Sequence, residues 1–251
     1  MKIKFLGTSH GAPLPGRHCQ SILIDTDAGA YLFDAGAPVI DLLVNENFDL
    51  TRLRAIFVTH LHSDHIDGLP GIVCLASWFY VKMRFGVYLP EQSGVDAIRG
   101  YCRTRLQNEY RWDKDESEER IPFFAYETGE IYDDGNLKVT AHPTEHLKRI
   151  CKPAYGFLIE AEGKKVYITG DMHGSLSDFP AFLYSDKVDL LISECAHFDP
   201  ASLAEKLMKC NARTVAVIHV FPLRRFTELK EIEPNVPARM IYPGDGDEFS
   251  V

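Results

Sequence analysis

His60-Leu61-His62-Ser63-Asp64-His65 puts three imidazoles and a carboxylate into one short segment, a density that strand or helix packing does not call for. A chance H-x-H-x-D-H arises on the order of once per thousand chains of this length. Imidazole nitrogen and carboxylate oxygen are the donors that borderline divalent metals such as zinc prefer. In a tight turn alternate residues point the same way, so His60 and His62 can share one ion, leaving Asp64 and His65 for a second. Two ions side by side make the segment the centre of a hydrolase.

The flanks place it in a fold. Before it, Arg54-Ala55-Ile56-Phe57-Val58-Thr59 is apolar and β-branched, as a buried strand is. After it, Ile66-Asp67-Gly68-Leu69-Pro70-Gly71 leads into an apolar run that predicts a helix over 72–82. The histidines therefore follow the carboxyl end of a strand, where layered α/β folds bind ligands. Further strands are predicted at 3–6, 21–25, 30–33, 86–89, 137–142, 155–160, 164–169, 190–193, 215–219 and 239–242. Helices are predicted at 38–47, 94–106, 178–185 and 200–209, and the charge-dense run 113–120 reads as a solvated loop or helix face. With no linker, repeat or low-complexity segment, the chain reads as a single α/β domain over 1–251, sheets inside and helices outside.

A formal charge of −9 over 251 residues leaves no strongly basic face for coating nucleic acid. The cysteines at 19, 74, 102, 151, 195 and 210 form no C-x-x-C pair, and Met1-Lys2-Ile3-Lys4-Phe5 enters a strand-like segment without an apolar leader. Both features predict a reduced, cytoplasmic protein. No apolar stretch approaches the ~20 residues that span a bilayer, so no membrane partner is expected.

Two ions need about seven protein donors, which sends the search downstream to strand ends. His146 stands in Thr144-Glu145-His146, Asp171 in Ile168-Thr169-Gly170-Asp171, and His219 closes Thr214-Val215-Ala216-Val217-Ile218-His219. The glycine before Asp171 reads as letting backbone and carboxylate approach an ion closely. This order resembles the metallo-β-lactamase superfamily, where an H-x-H-x-D-H loop is followed by a lone His, an Asp after Gly, and a final His. Phe5-Leu6-Gly7-Thr8-Ser9 and Leu32-Phe33-Asp34-Ala35-Gly36 extend the resemblance, and Tyr242-Pro243-Gly244-Asp245-Gly246 turns it towards the ribonuclease Z-like branch.

The resemblance implies a four-layer αββα sandwich of two mixed β-sheets flanked by helices. It implies that His60, His62 and His146 hold one ion, that Asp64, His65 and His219 hold the other, and that Asp171 bridges them. Asp34 would accept the remaining ring hydrogen of a ligand histidine, the alternative being a cap on the following helix. Glu194-Cys195-Ala196-His197 resembles the acidic-Cys-small-His block of bacterial cyclic-phosphate phosphodiesterases in that branch. It implies that His197 protonates the leaving alkoxide or binds a phosphate oxygen, against a capping or surface role.

His173, Lys148 and Arg149 are candidate substrate contacts, as are Lys152, Arg224 and Arg225; the alternative for each is a solvated position. His10 and His18 lie in the Gly/Pro-rich loop from Gly7 to Gly16, which resembles a loop near the site, with a plain structural role the favoured alternative; His142 before Pro143 reads as packing or backbone hydrogen bonding. The aromatic stretch from Trp78 to Phe85 reads as core or as the surface of a homodimer, rather than a platform for stacking bases.

Two divalent cations, less two aspartates and a hydroxide, leave about +1 of charge in the cleft, which favours a phosphodiester or carboxylate. Asp64 would orient that hydroxide as well as bind metal. The leading expectation is a two-metal phosphodiesterase, with zinc or manganese, acting on a small, cyclic or nucleotide-like diester. A ribonuclease Z-type enzyme processing tRNA 3′ ends is the first rival. It needs a Gly/Pro-rich arm, for which the interval from Asp171 to Glu194 has no room, and its His-Glu-Ala-Thr block here reads Ser193-Glu194-Cys195-Ala196. RNA is therefore disfavoured as a partner. Thioester, lactone or lactam hydrolysis is the second rival, and the short tail after His219 argues against its helical substrate domain.

Overall fold

The protein, as a computed structural model, is described at residues 1–12, 14–106 and 117–251. Its first half runs β1 (Lys2–Gly7), β2 (Ser21–Asp25), β3 (Ala30–Phe33), α1 (Val39–Asn45), β4 (Leu53–Phe57), α2 (Ser63–Ile66), α3 (Leu69–Trp78), β5 (Gly86–Leu89), α4 (Gln92–Leu106), α5 (Ser117–Arg120) and β6 (Phe123–Ala125). The second runs β7 (Gly129–Asp133), β8 (Leu137–Pro143), β9 (Tyr155–Ala161), β10 (Lys164–Ile168), β11 (Val188–Cys195), α6 (Pro200–Leu207), β12 (Ala212–Val220), α7 (Arg225–Ile232), β13 (Arg239–Ile241) and β14 (Glu248–Ser250).

These strands form two seven-stranded sheets, ordered β14-β1-β2-β3-β4-β5-β6 and β13-β12-β11-β10-β9-β8-β7. In each, a parallel run (β3 to β6, β10 to β13) joins an antiparallel one, so both sheets are mixed. Side chains alternate across the strands and sort themselves into three apolar layers. Ile22, Phe33 and Phe57 meet Phe157, Ile159 and Ile192 between the sheets. Leu23, Leu32 and Ile56 face the other way, against Leu43 of α1 and Ile72 and Val73 of α3. Tyr167, Leu191 and Val215 do the same on the second sheet, against Leu203 of α6 and Leu229 of α7. The result is the four-layer αββα sandwich. Because both faces of these strands are buried, their sequences read as continuous apolar runs.

Several segments departed from expectation. Residues 178–185 form only a 3-10 turn at Ala181–Tyr184, because Pro180 precedes it and the Asp178 carboxylate accepts the amides of Glu145 and His173. The helix over 72–82 is shifted, ending at Trp78. Beyond it Phe79 is 71 % exposed and Tyr80 and Val81 are exposed, while Met83 and Phe85 are buried, so the aromatic stretch is surface over its first half. The charged run 113–120 falls outside the described residues up to 116; its end, Arg120, is buried and donates to the carbonyls of Ala76 and Met83. Among the described residues no helix is long and apolar enough to cross a membrane.

Candidate metal centre

The site lies where the strands end at their carboxyl edges. His60 follows β4, His146 follows β8, Asp171 follows β10, and His219 is near the end of β12. Three sets of donors lie within 4.8 Å of each other among the described residues: two that divide the histidines, His60, His62, His146 and Asp171 in one and Asp64, His65 and His219 in the other, and a third of Asp171, Glu194 and His197. Asp171 divides its carboxylate between the first two. Its Oδ2 is 3.6 Å from His60 Nε2 and 3.6 Å from His146 Nε2. Its Oδ1 is 3.6 Å from His65 Nε2 and 3.4 Å from His219 Nε2. Asp64 Oδ2 stands 3.4 Å from His65 Nε2 and 3.7 Å from His219 Nε2.

The residues fit divalent ions. His60 Nε2, His65 Nε2, His219 Nε2 and Asp171 Oδ1 are buried without a hydrogen-bond partner. Each such orphan costs about 1–3 kcal/mol, and four converging on one spot are explained by cations that use their lone pairs. Donors ~2.1 Å from a tetrahedral centre stand ~3.4 Å apart, close to the spacings above. The donor set is nitrogen and oxygen without thiolate, which suits zinc or manganese.

Electrostatics prepare the donors other than His65: burial alone would lower that imidazole, but the Asp34 and Asp171 carboxylates overcome it and raise it well above the usual range. Burial, then the neighbouring His65, push His60 well below the usual imidazole range and keep its lone pair free. Burial also lowers His62 and His146. For Asp64 burial works the other way, but His65 and His219 outweigh it and hold the carboxylate ionised.

The local backbone is held in costly shapes to achieve this. Asp34 (φ 58°) and His219 (φ 53°) are left-handed, each at about 1–3 kcal/mol. His219 lies in a bulge: Ser193 faces Val217 but Cys195 faces Val220, so β12 carries an extra residue that re-aims the ring. Gly170 has φ 57°, and a Cβ there would meet the Tyr155 carbonyl oxygen at 2.3 Å. Backbone geometry as well as approach to an ion thus requires the glycine before Asp171.

Asp34 Oδ2 is 2.8 Å from His65 Nδ1 and accepts from Gln20 Nε2 at 2.8 Å, while Oδ1 accepts the Thr59 amide at 2.8 Å. It does not cap α1, whose first turn has no side-chain cap. Holding His65 Nδ1–H fixes the tautomer that points Nε2 at Asp171. Asp34→Asn should weaken metal binding about 10- to 100-fold while saturating metal restores hydrolysis. Chelator competition measures this, and unchanged affinity would limit Asp34 to bracing the turn.

His197 Nδ1 lies 2.9 Å from Glu194 Oε2, and its Nε2 faces Asp171 Oδ2 at 3.8 Å. Burial alone would lower this imidazole, but the hydrogen bond and charge of Glu194 overcome it and raise the pKa to about 9. Glu194, quoted in the sequence without a role, is buried and also accepts the amides of Met172, Ala196 and His197. The signal was a carboxylate three residues before a histidine at a strand end. Arg225 is half-buried, and its Nη1 donates to the carbonyls of Cys195, Ala196 and Phe221, tying the His197 turn to the segment after His219.

Other candidates stand apart. His173 is exposed, with Nδ1 engaged by Ser175, and it belongs to neither donor group. Lys148 is exposed and paired with Glu145; Arg149 is exposed; Lys152 pairs with Glu91 at 2.8 Å. His10, in the loop that resembles one near the site, lies at the site. Its ring centroid is 5.1 Å from that of His219 and 5.8 Å from that of His197.

Known proteins share this architecture. The metallo-β-lactamase fold protein YhfI from Bacillus subtilis superposes with a TM-score of 0.76, at 19% identity over 99% of both chains. The short form of human tRNase Z superposes with a TM-score of 0.72, at 22% identity over 100% of this chain and 99% of the other. Ribonuclease BN of Escherichia coli is 34% identical over 168 residues, 65% of this chain and 51% of its own, so the chain spans about half the length of the curated relatives it matches. With the fold that of the metallo-β-lactamases and a family-wide match over residues 1–208, the chain belongs to the family of the anti-Pycsar protein Apyc1.

Proposed function

We propose that this protein is a two-metal phosphodiesterase acting on a small nucleotide-like or cyclic phosphodiester. The observation that carries the reading is the division of Asp171, one carboxylate oxygen facing each histidine group. His60, His62 and His146 would hold one ion, Asp64, His65 and His219 the other, and Asp171 both, with zinc or manganese as the metal. When bound, such a pair supplies Lewis-acid stabilisation of developing charge and brings the pKa of water towards ~7.

The chain's own residues do the rest. Asp64 accepts a hydrogen bond from the attacking water and so orients it towards phosphorus. His197 holds a proton at Nε2, facing the centre, and passes it to the leaving oxygen, while Glu194 keeps Nδ1–H in place.

Size favours a small substrate. Between Asp171 and Glu194 there is only a turn, the 3-10 turn at Ala181–Tyr184 and β11, with no arm to grip an RNA. The ribonuclease names of two relatives keep precursor tRNA as the reading to be tested against it. A cytoplasmic setting fits the free cysteines, and the exposed Trp78 to Val81 surface fits a homodimer. The test is a side-by-side rate comparison on metal-loaded protein with bis-(p-nitrophenyl) phosphate, a cyclic nucleotide, precursor tRNA, a lactone, a β-lactam and a glutathione thioester. The small diesters should be fastest. Faster turnover of tRNA or of an acyl substrate overturns the reading.

A further inference from the structure

We propose that His10 is a substrate-contacting residue whose Nε2–H donates a hydrogen bond to a non-bridging phosphate oxygen, an assignment that rests on the phosphodiesterase reading. Its position is the first argument. The ring stands edge-on to His219, with centroids 5.1 Å apart, and 5.8 Å from His197, so it closes a triangle with these two rings, which are 6.2 Å from each other. Yet it belongs to neither donor group around Asp171, unlike His60, His62, His65, His146 and His219.

Its tautomer is the second. The Ala12 amide donates to His10 Nδ1 at 3.1 Å, so in the neutral ring the hydrogen sits on Nε2. Among the described residues that Nε2 has no hydrogen-bond partner, and His10 is only partly buried. A donor is thus held ready beside a centre built to attract anions.

Its rigidity is the third. The ring stacks on Phe221 at 5.0 Å and 13°, and the Ser9 hydroxyl donates to the His10 carbonyl at 3.0 Å. The next residue is pressed against the centre: a Cβ on Gly11 would come within 3.1 Å of the Asp64 carboxylate. The loop therefore runs close beside Asp64, and His10 with it. A hydrogen bond to a charged oxygen from a fixed donor costs little ordering on binding.

Two substitutions separate contact from packing. His10→Phe keeps a ring to stack on Phe221 and removes the donor; His10→Gln keeps an N–H near the place of Nε2 and removes the ring. On bis-(p-nitrophenyl) phosphate, His10→Phe should lower kcat/KM about 10- to 100-fold, and His10→Gln should stay within about fivefold of wild type. Both should keep the wild-type metal content. Inorganic phosphate binding to the metal-loaded protein reads the same contact without turnover, and His10→Phe should weaken it about tenfold. A wild-type rate and phosphate affinity in His10→Phe, or a loss that follows loss of metal, overturns the proposal. Should His10→Phe misfold, His10→Ala takes its place: phosphate binding about tenfold weaker with fold and metals intact supports the contact, and wild-type binding refutes it. Wild-type protein that binds phosphate but hydrolyses no diester would count against the phosphodiesterase reading and leave the phosphate measurement to judge His10.

Discussion

Asp171→Ala should leave the protein with at most one divalent ion per chain and slow diester hydrolysis by roughly 10⁴-fold or more. The expectation follows from the two ends of one carboxylate. Oδ2 lies 3.6 Å from both His60 and His146 Nε2, and Oδ1 lies 3.6 Å from His65 and 3.4 Å from His219 Nε2. Removing the carboxylate takes one donor from each group and the charge that offsets two cations. The strands beneath, packed through Phe157, Ile168 and Ile192, do not depend on it. Circular dichroism should therefore stay native while metal analysis and rate collapse. Full hydrolysis by Asp171→Ala would remove the basis for a shared centre.

His197→Ala is expected to behave differently, keeping both ions and losing about 10²- to 10⁴-fold in rate. The size of the loss should depend on the leaving group. An alkoxide needs a proton as it departs, whereas p-nitrophenolate leaves readily without one. The deficit should thus be large for an alkyl or nucleoside ester and small for bis-(p-nitrophenyl) phosphate. Glu194 holds the ring through Nδ1 at 2.9 Å, so Glu194→Gln should show the same leaving-group pattern with a smaller deficit. Equal deficits on both substrate types would move His197 from proton donor to a binding role.

Much of this was legible from the chain because its chemistry is local. The H-x-H-x-D-H turn carries four donors on one short segment, and the buried strand before it is an unbroken apolar run. His146, Asp171 and His219 became visible through their strand ends and their order, which a family resemblance preserves. Other features depend on contacts that sequence spacing does not encode. His10 reaches the centre because Gly11 lies against Asp64, and Arg225 is occupied because three carbonyls from separate segments converge on it. Edge strands were missed for a related reason. β14 is only Glu248–Ser250 and β7 is partly exposed, so neither shows the apolar run of an internal strand. The 3-10 turn at Ala181–Tyr184 was overcalled as helix because local composition cannot register that Asp178 spends its carboxylate on Glu145 and His173.

The most direct test is anomalous diffraction from crystals of the zinc- or manganese-loaded protein. Two peaks are expected, one bounded by His60, His62, His146 and Asp171 Oδ2, the other by Asp64, His65, His219 and Asp171 Oδ1. A single peak, or metal held away from Asp171, would contradict the account.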